Sequence, residues 1–264
     1  MKLLQYLKEE KSRTKKITRE EFIDALYTKC KQALNAAPIY RGNTNPFDYG
    51  FVSPGKYTRK SANTTNWYTF ILNNSPSWSQ YPKRSLICSF DKNVAETYGG
   101  GRVYRIFPTD NANIGICPAA DIWMSFENKN IDSLENLNLD LDTIFDQAMG
   151  KQVRDESWDH MKYYAKQVPE WFKKASVTYS GKSHGMKTPV SEAVDFLKTH
   201  KYDGSDFIKF LENLLDPETN GFTHKKISSL HQSPGNKECW LDADCYMILE
   251  TLVETVDIIT WNSK

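Results

Sequence analysis

The apolar period changes twice along this chain, and those two changes constrain its fold more than any single motif. SLICSF (85–90) is a short apolar run of strand type and RVYRIFP (102–108) alternates. From about 131 to 230 the pattern turns helical, in SLENLNLDLDTIFDQAMG, DESWDHMKYYAKQVPEWFKKA, PVSEAVDFLKTHK and DGSDFIKFLENLLD. Strand character returns in KECWLDADCYMILETL and VDIITW. The helical stretch is therefore read as an insertion between the early and the late strands. The expected fold is α+β, and no internal repeat is visible. Trp158, Trp171, Phe172, Phe207 and Phe210 fall at helical spacing and read as core of the insertion. TYSGKSHGMKTP, between two of the helices, reads as a flexible loop.

The first part of the chain is more punctuated. In ITREEFIDALYTKCKQALNAAP, Thr18 with Glu21 makes a capping box, and Phe22, Leu26, Cys30, Ala33 and Ala37 form an apolar stripe ended by Pro38. IYRG then reads as a short strand, and NTNPFDYGFVSPGKYTRK as a Gly/Pro/Asn-rich loop beside its end. SANTTNWYTFILNN is a second helix, with Trp67, Phe70, Ile71 and Asn74 on one face and Ser61 a candidate N-cap. DKNVAETYGGG reads as a two-turn helix closed by glycines, and NIGICP as a further strand, with DIWMSF starting a turn or short helix.

Composition excludes several classes. At 264 residues, with 39% hydrophobic and 13% aromatic content, the chain has enough apolar material for a large core and is not a disordered tail. A formal net charge of +1 creates no global field toward nucleic acid or anionic membrane, although residues 1–20 hold seven Lys/Arg against three Glu. Residues 1–17 are read as a flexible basic terminus. No window of eighteen apolar residues occurs, and MKLLQYLKEEKSR has too short an apolar stretch for a signal peptide, so an intracellular protein is expected. The five cysteines are odd in number and widely spaced, which suits free thiols. The five histidines show no HExxH or HxH spacing, so no metal is expected.

Three separated pieces carry chemistry: Arg41 on an early strand, the serine-bearing strand followed by a helix with A-x-x-Y, and Glu238 opening a late strand. In this order they resemble the arginine-serine-glutamate class of ADP-ribosyltransferases, over about 18–128 and 230–260. IYRG is similar to that family's first strand, which implies that Arg41, with Gly42 beside it, contacts the phosphates of NAD. SLICSFDKNVAETYGGGRVYRIF resembles the Ser-Thr-Ser strand and its helix imperfectly: Ser89 is the first choice for the motif serine and Ser85 the second, while Ala95 and Tyr98 fit. GNKECWLDADCYMI resembles the glutamate strand, which implies that Glu238 bonds the nicotinamide ribose and stabilises positive charge as the glycosidic bond breaks.

The resemblance implies a split β-sandwich of ADP-ribosyltransferase type, formed by 18–130 and 231–264, with 131–230 inserted. It implies NAD as substrate, no metal, and a host protein or nucleic acid as acceptor. The residue types suit such chemistry, since a guanidinium offers paired donors to a diphosphate and a carboxylate under an oxocarbenium-like sugar favours the transition state. Tyr98 or Trp67 is a candidate to stack on nicotinamide, and Arg59 and Asn63 to touch phosphate or ribose. The family usually has Glu or Gln two residues before its glutamate, where this chain has Asn236, so an arginine acceptor is less expected. Arg84 is read as a flank of the strand. Residues 59–126 are also similar to uncharacterised tailed-bacteriophage proteins, through RKSANTTNWYT, SPSWSQYPKRSLICSF and CPAADIWMSF. That likeness implies the cytoplasm of an infected bacterium. Two other readings stay open: a cysteine enzyme using Cys88 with a distant histidine, and an interaction or virion protein that keeps the transferase fold without catalysis.

Overall fold

The computed structural model describes residues 14–56, 64–179 and 188–256. The elements run β1 (Lys15–Lys16), α1 (Arg19–Lys29), α2 (Lys31–Leu34), β2 (Ile39–Gly42), β3 (Tyr49–Val52), α3 (Trp67–Asn74), β4 (Leu86–Ser89), α4 (Lys92–Gly99), β5 (Val103–Pro108) and β6 (Asn113–Ile116). Then follow α5 (Leu134–Met149), α6 (Trp158–Ala165), α7 (Val168–Tyr179), α8 (Pro189–Thr199), α9 (Phe207–Leu214), β7 (Thr223–Lys226), β8 (Glu238–Leu241) and β9 (Cys245–Leu249). The chain is α+β, as the pattern predicts. No helix among the described residues is long and apolar enough to cross a membrane.

Two compact units form. The sheet unit takes the described residues up to 56, Gln80–Ile122, and those from Gly221 on, while the helical unit takes Thr64–Ser79 and Trp123–Asn220. This differs from the expected division in three places. Residues 64–79, with helix α3, and residues 123–130 belong to the helical unit rather than to the sheet unit, and 221–230 belongs to the sheet unit because β7 pairs with β6 there. A polar, lysine-rich edge strand has no apolar alternation by which sequence could reveal it.

In the sheet unit nine strands form one sheet in the order β1-β3-β9-β5-β2-β4-β8-β6-β7, with every described pairing antiparallel. Strands β1 and β3 are corrections: the first lies inside the expected flexible terminus and the second inside the expected loop, where Tyr49–Val52 pairs with β9. Both edge strands carry lysine pairs, Lys15 and Lys16 on one side and Lys225 and Lys226 on the other, which discourages pairing with another chain. The capping box of α1 forms, with Glu21 N–H donating to Thr18 Oγ1 at 3.1 Å and Thr18 N–H to Glu21 Oε2 at 2.8 Å. The apolar stripe of Phe22, Leu26, Cys30, Ala33 and Ala37 is buried, but Cys30 leaves the helical conformation and divides the expected helix into α1 and α2.

Strand β2 holds β5 through four residue pairs but β4 through one, Tyr40 opposite Ser89. The sheet is therefore weakly joined at that seam. Gly42, just beyond it, lets α4 pack against the strand: a Cβ there would lie 2.0 Å from the Ala95 carbonyl oxygen and 2.4 Å from the Gly99 nitrogen. At the other side of the seam, Gly115 leaves room for the Trp240 ring, which would come within 2.2 Å of a Cβ.

The helical unit is organised around Trp67, whose ring packs on Phe145 with centroids 4.8 Å apart. Its indole N–H donates to Asp142 Oδ1 at 2.7 Å, and Asp155 takes bonds from both the backbone and the side chain of Asn66. Phe207 is fully buried, as expected, while Trp158, Trp171, Phe172 and Phe210 are half-buried. The expected N-cap Ser61 lies outside the described residues. The structure starts this helix at Trp67, after Asn66.

Candidate functional site

Ser89 and Glu238 face each other across β4 and β8. On this side of β8 the backbone of Glu238 is turned away from β4: its N–H donates to Ala119 O at 3.1 Å and its C=O accepts from Cys117 N–H at 2.9 Å. Phe90 N–H bonds Lys237 O at 3.1 Å, so the next pair along the ladder is the hydrogen-bonded one. Ser89 and Glu238 thus occupy a non-hydrogen-bonded position, where opposed side chains come closest, with Cβ atoms about 4.5–5.5 Å apart. Of the two candidate serines, Ser89 is the one in register, while Ser85 precedes the strand and is half-buried. Ser89 Oγ accepts from Asp91 N–H at 3.0 Å, which ties it to the start of α4 and leaves its proton available to an acceptor.

The carboxylate of Glu238 is buried and surrounded by donors. Arg84 Nη2 donates to Oε1 at 3.0 Å, Ile122 N–H to Oε2 at 3.4 Å, and the Cys117 thiol lies 4.0 Å from Oε1. The Arg84 and Glu238 side chains are 2% and 10% exposed, so this is a desolvated ion pair. Two bonds fix the segment that carries Arg84: Trp240 Nε1 donates to Pro82 O at 2.8 Å and Lys83 N–H to Asp242 Oδ2 at 2.9 Å. The reading of Arg84 as a simple flank of the strand is therefore corrected. A buried glutamate requires a counter-charge, and the arginine before SLICSF was the available signal.

Arg41 occupies the third neighbouring strand, one pleat out of phase. Because Tyr40 pairs with Ser89, Tyr40 shares the face of Ser89 and Glu238, and Arg41 shares the face of Ile39. Its guanidinium is buried, donates to the Ile87 carbonyl, and lies against the thiols of Cys88 and Cys245. Burial lowers its pKa, while Cys88, Cys245 and the more distant Glu238 charge oppose that effect. An arginine nevertheless stays protonated. Cys88 lies on this same interior face, opposite Cys239, and is buried. The pleat therefore keeps that candidate nucleophile away from the Ser89 side.

At the rim, Tyr98 of α4 is 45% exposed and its hydroxyl donates to Asp121 Oδ2 at 3.4 Å. Burial, with the charges of Asp121 and Glu238, pushes the phenol up to about 12. Asp121 is the second rim residue missing from the sequence reading. It adjoins Ile122, whose N–H reaches Glu238. Asn236 is exposed on the turn before β8, and Gly42 acts as a packing position against α4. Trp67 is fully buried inside the helical unit, bonded to Asp142, and so is corrected as a stacking candidate. Arg59 and Asn63 lie outside the described residues.

The arrangement can hold an anionic oxygen in place beside a hydroxyl, in a setting of low dielectric. Such a group stabilises a developing cation without reorganising. Comparison with protein-family models, with curated proteins and with solved structures gives no significant match.

Proposed function

We propose that this chain is an NAD-dependent mono-ADP-ribosyltransferase with a split β-sandwich core, acting on a macromolecule of a phage-infected bacterial host. The observation that supports it most is the buried Glu238 carboxylate directly opposite Ser89. In the reaction, the bond between ribose C1′ and the nicotinamide nitrogen breaks and its electron pair leaves with neutral nicotinamide. C1′ becomes cationic and is stabilised by Glu238. The acceptor nucleophile then bonds C1′ and loses its proton to solvent or a carboxylate. Ser89 orients Glu238 and Tyr98 lies beside them, whereas Arg41, buried on the other face of the sheet, packs against Ile87 and Cys88 and does not serve as the diphosphate contact that the resemblance implies.

The test is incubation with NAD labelled on the adenylate, alone and with bacterial lysate, for the native chain and Glu238→Gln. Label on a lysate component, or released nicotinamide, is expected from the native chain and not from the variant. One observation favours a second reading, an interaction protein with a lapsed site. Glu238 is already paired with Arg84, and Arg41 donates to a backbone carbonyl. If the native chain neither releases nicotinamide nor is stabilised against melting by excess NAD, that second reading replaces the first.

A further inference from the structure

We propose that Arg84 is the positioning residue of Glu238: it fixes the orientation of the carboxylate and keeps that carboxylate ionised inside the sheet. The proposal rests on the transferase reading for its catalytic consequence, but the coupling itself is measurable without turnover. The resemblance that points to Arg41 and Glu238 assigns nothing to Arg84.

The geometry gives the reasons. A carboxylate taken out of water neutralises itself unless a charge or several donors compensate. Around Glu238 the compensating contacts include the Ile122 N–H, the Cys117 thiol and Arg84, which is a cation hydrogen-bonded to it. Other charged or titratable groups that feel the Glu238 charge include Arg41, Tyr98 and Cys239, and Asp121 lies beside Tyr98. Tyr98 and Asp121 bond one another, and Arg41 is directed to Ile87 and Cys88 on the other face. The ion pair also has a definite shape. Arg84 holds Oε1 and Ile122 holds Oε2, so the carboxylate plane is set from both ends. Because the two residues just before Arg84 are tied to β8 and to Asp242 directly after it, by the bonds of Pro82 and Lys83, the pair moves with the strand that carries Glu238. A group held in this manner is oriented before substrate arrives.

Two readouts of the full chain test this, with native protein, Arg84→Met and Arg84→Lys. The first is the pH profile of NAD hydrolysis, from about pH 5 to 9, with kcat and KM separated. For Arg84→Met the expected result is a roughly tenfold or larger loss of kcat at neutral pH, with KM within about twofold of native. Its acid limb moves upward by about one pH unit or more, and Arg84→Lys returns the limb toward the native position. The second is a carbon-13 titration of glutamate carboxyls, with Glu238→Gln identifying the signal. The Glu238 midpoint is expected to rise in Arg84→Met and to lie between the two in Arg84→Lys.

A raised KM for NAD with an unmoved acid limb overturns the proposal and makes Arg84 a phosphate contact. A uniform loss of soluble protein or activity with an unmoved carboxyl midpoint in Arg84→Met overturns it in favour of a structural role. If the native chain hydrolyses no NAD, the transferase reading fails on its own, and the carboxyl titration still decides. A midpoint that rises without Arg84 sustains the coupling, and one that stays fixed refutes it. Arg84→Gln supplies that titration if Arg84→Met does not fold.

Discussion

Breaking the Arg84–Glu238 pair from its two ends should have unequal costs, because the partners differ in how they escape a buried charge. With side chains 2% and 10% exposed, neither can simply turn into water. Glu238→Leu removes the carboxylate from a buried guanidinium that does not lose its proton, at a cost of about 3–5 kcal/mol. Arg84→Met leaves a carboxylate that can take up a proton. The penalty is then limited to the work of protonating a glutamate that is ionised in the unfolded chain: about 1 kcal/mol at pH 5 and about 4 kcal/mol at pH 7. In that variant the folded state binds the extra proton, so its stability falls as pH rises. The penalty of Glu238→Leu stays flat over the same range. The double variant, apolar at both positions, should lie nearer the native stability than either single one. Urea unfolding at the two pH values, with the m-values compared, measures all four proteins. Additive losses, or an Arg84→Met penalty that does not shrink toward pH 5, would refute the reasoning.

Three further perturbations follow from the same structure. Burial and the nearby Glu192 raise the Asp140 carboxyl to about 6 in the helical unit, so the folded state holds a proton there that the unfolded chain has released. Stability should therefore fall as pH rises from about 4 to about 6, and Asp140→Asn should gain on the order of 1–2 kcal/mol above that window and nothing below it, read from melting against pH. Asn138 is buried on α5, and neither its Oδ1 nor its Nδ2 has a hydrogen-bond partner among the described residues, so Asn138→Leu should stabilise by about 1–3 kcal/mol in urea. Gly42→Ala drives a Cβ into the backbone of α4 and should destabilise by about 1–3 kcal/mol or more, with lower occupancy of the Ser89–Asp91 bond visible as faster exchange of the Asp91 amide.

What could be read from the chain and what could not divide along physical lines. The capping box of Thr18 and Glu21 and the apolar stripe after it are local, and they appear where the pattern puts them. Strands β2, β4, β5, β6, β8 and β9 announce themselves by apolar runs, and Glu238 begins β8 as expected. Strand β3 was hidden because YGFV lies among Gly, Pro and Asn, which outweigh four residues of extended propensity. Strand β7 was hidden because THKK is an edge whose side chains face water. The register that pairs Ser89 rather than Ser85 with Glu238, and the pleat that turns Arg41 to the other face, are long-range facts absent from local pattern. The pairing of Arg84 with Glu238 spans 154 positions and is equally invisible locally. VDIITW lies mainly beyond the described residues, although Val256 at its start ends a 3₁₀ segment.

The strand order also bears on how this protein is made. Strand β9 lies between β3 and β5, and β8 between β4 and β6, so each half of the sheet is completed at its centre by a segment from 238–249. During synthesis the earlier strands leave the ribosome with their middle positions vacant. The helices of 123–220 have by then emerged and can pack locally. The nascent sheet must wait with open edges for the arrival of two adjacent strands, and it is in that interval that a holding chaperone would matter most. Glu238 arrives with the first of those strands, so the candidate site assembles only when the sheet itself closes.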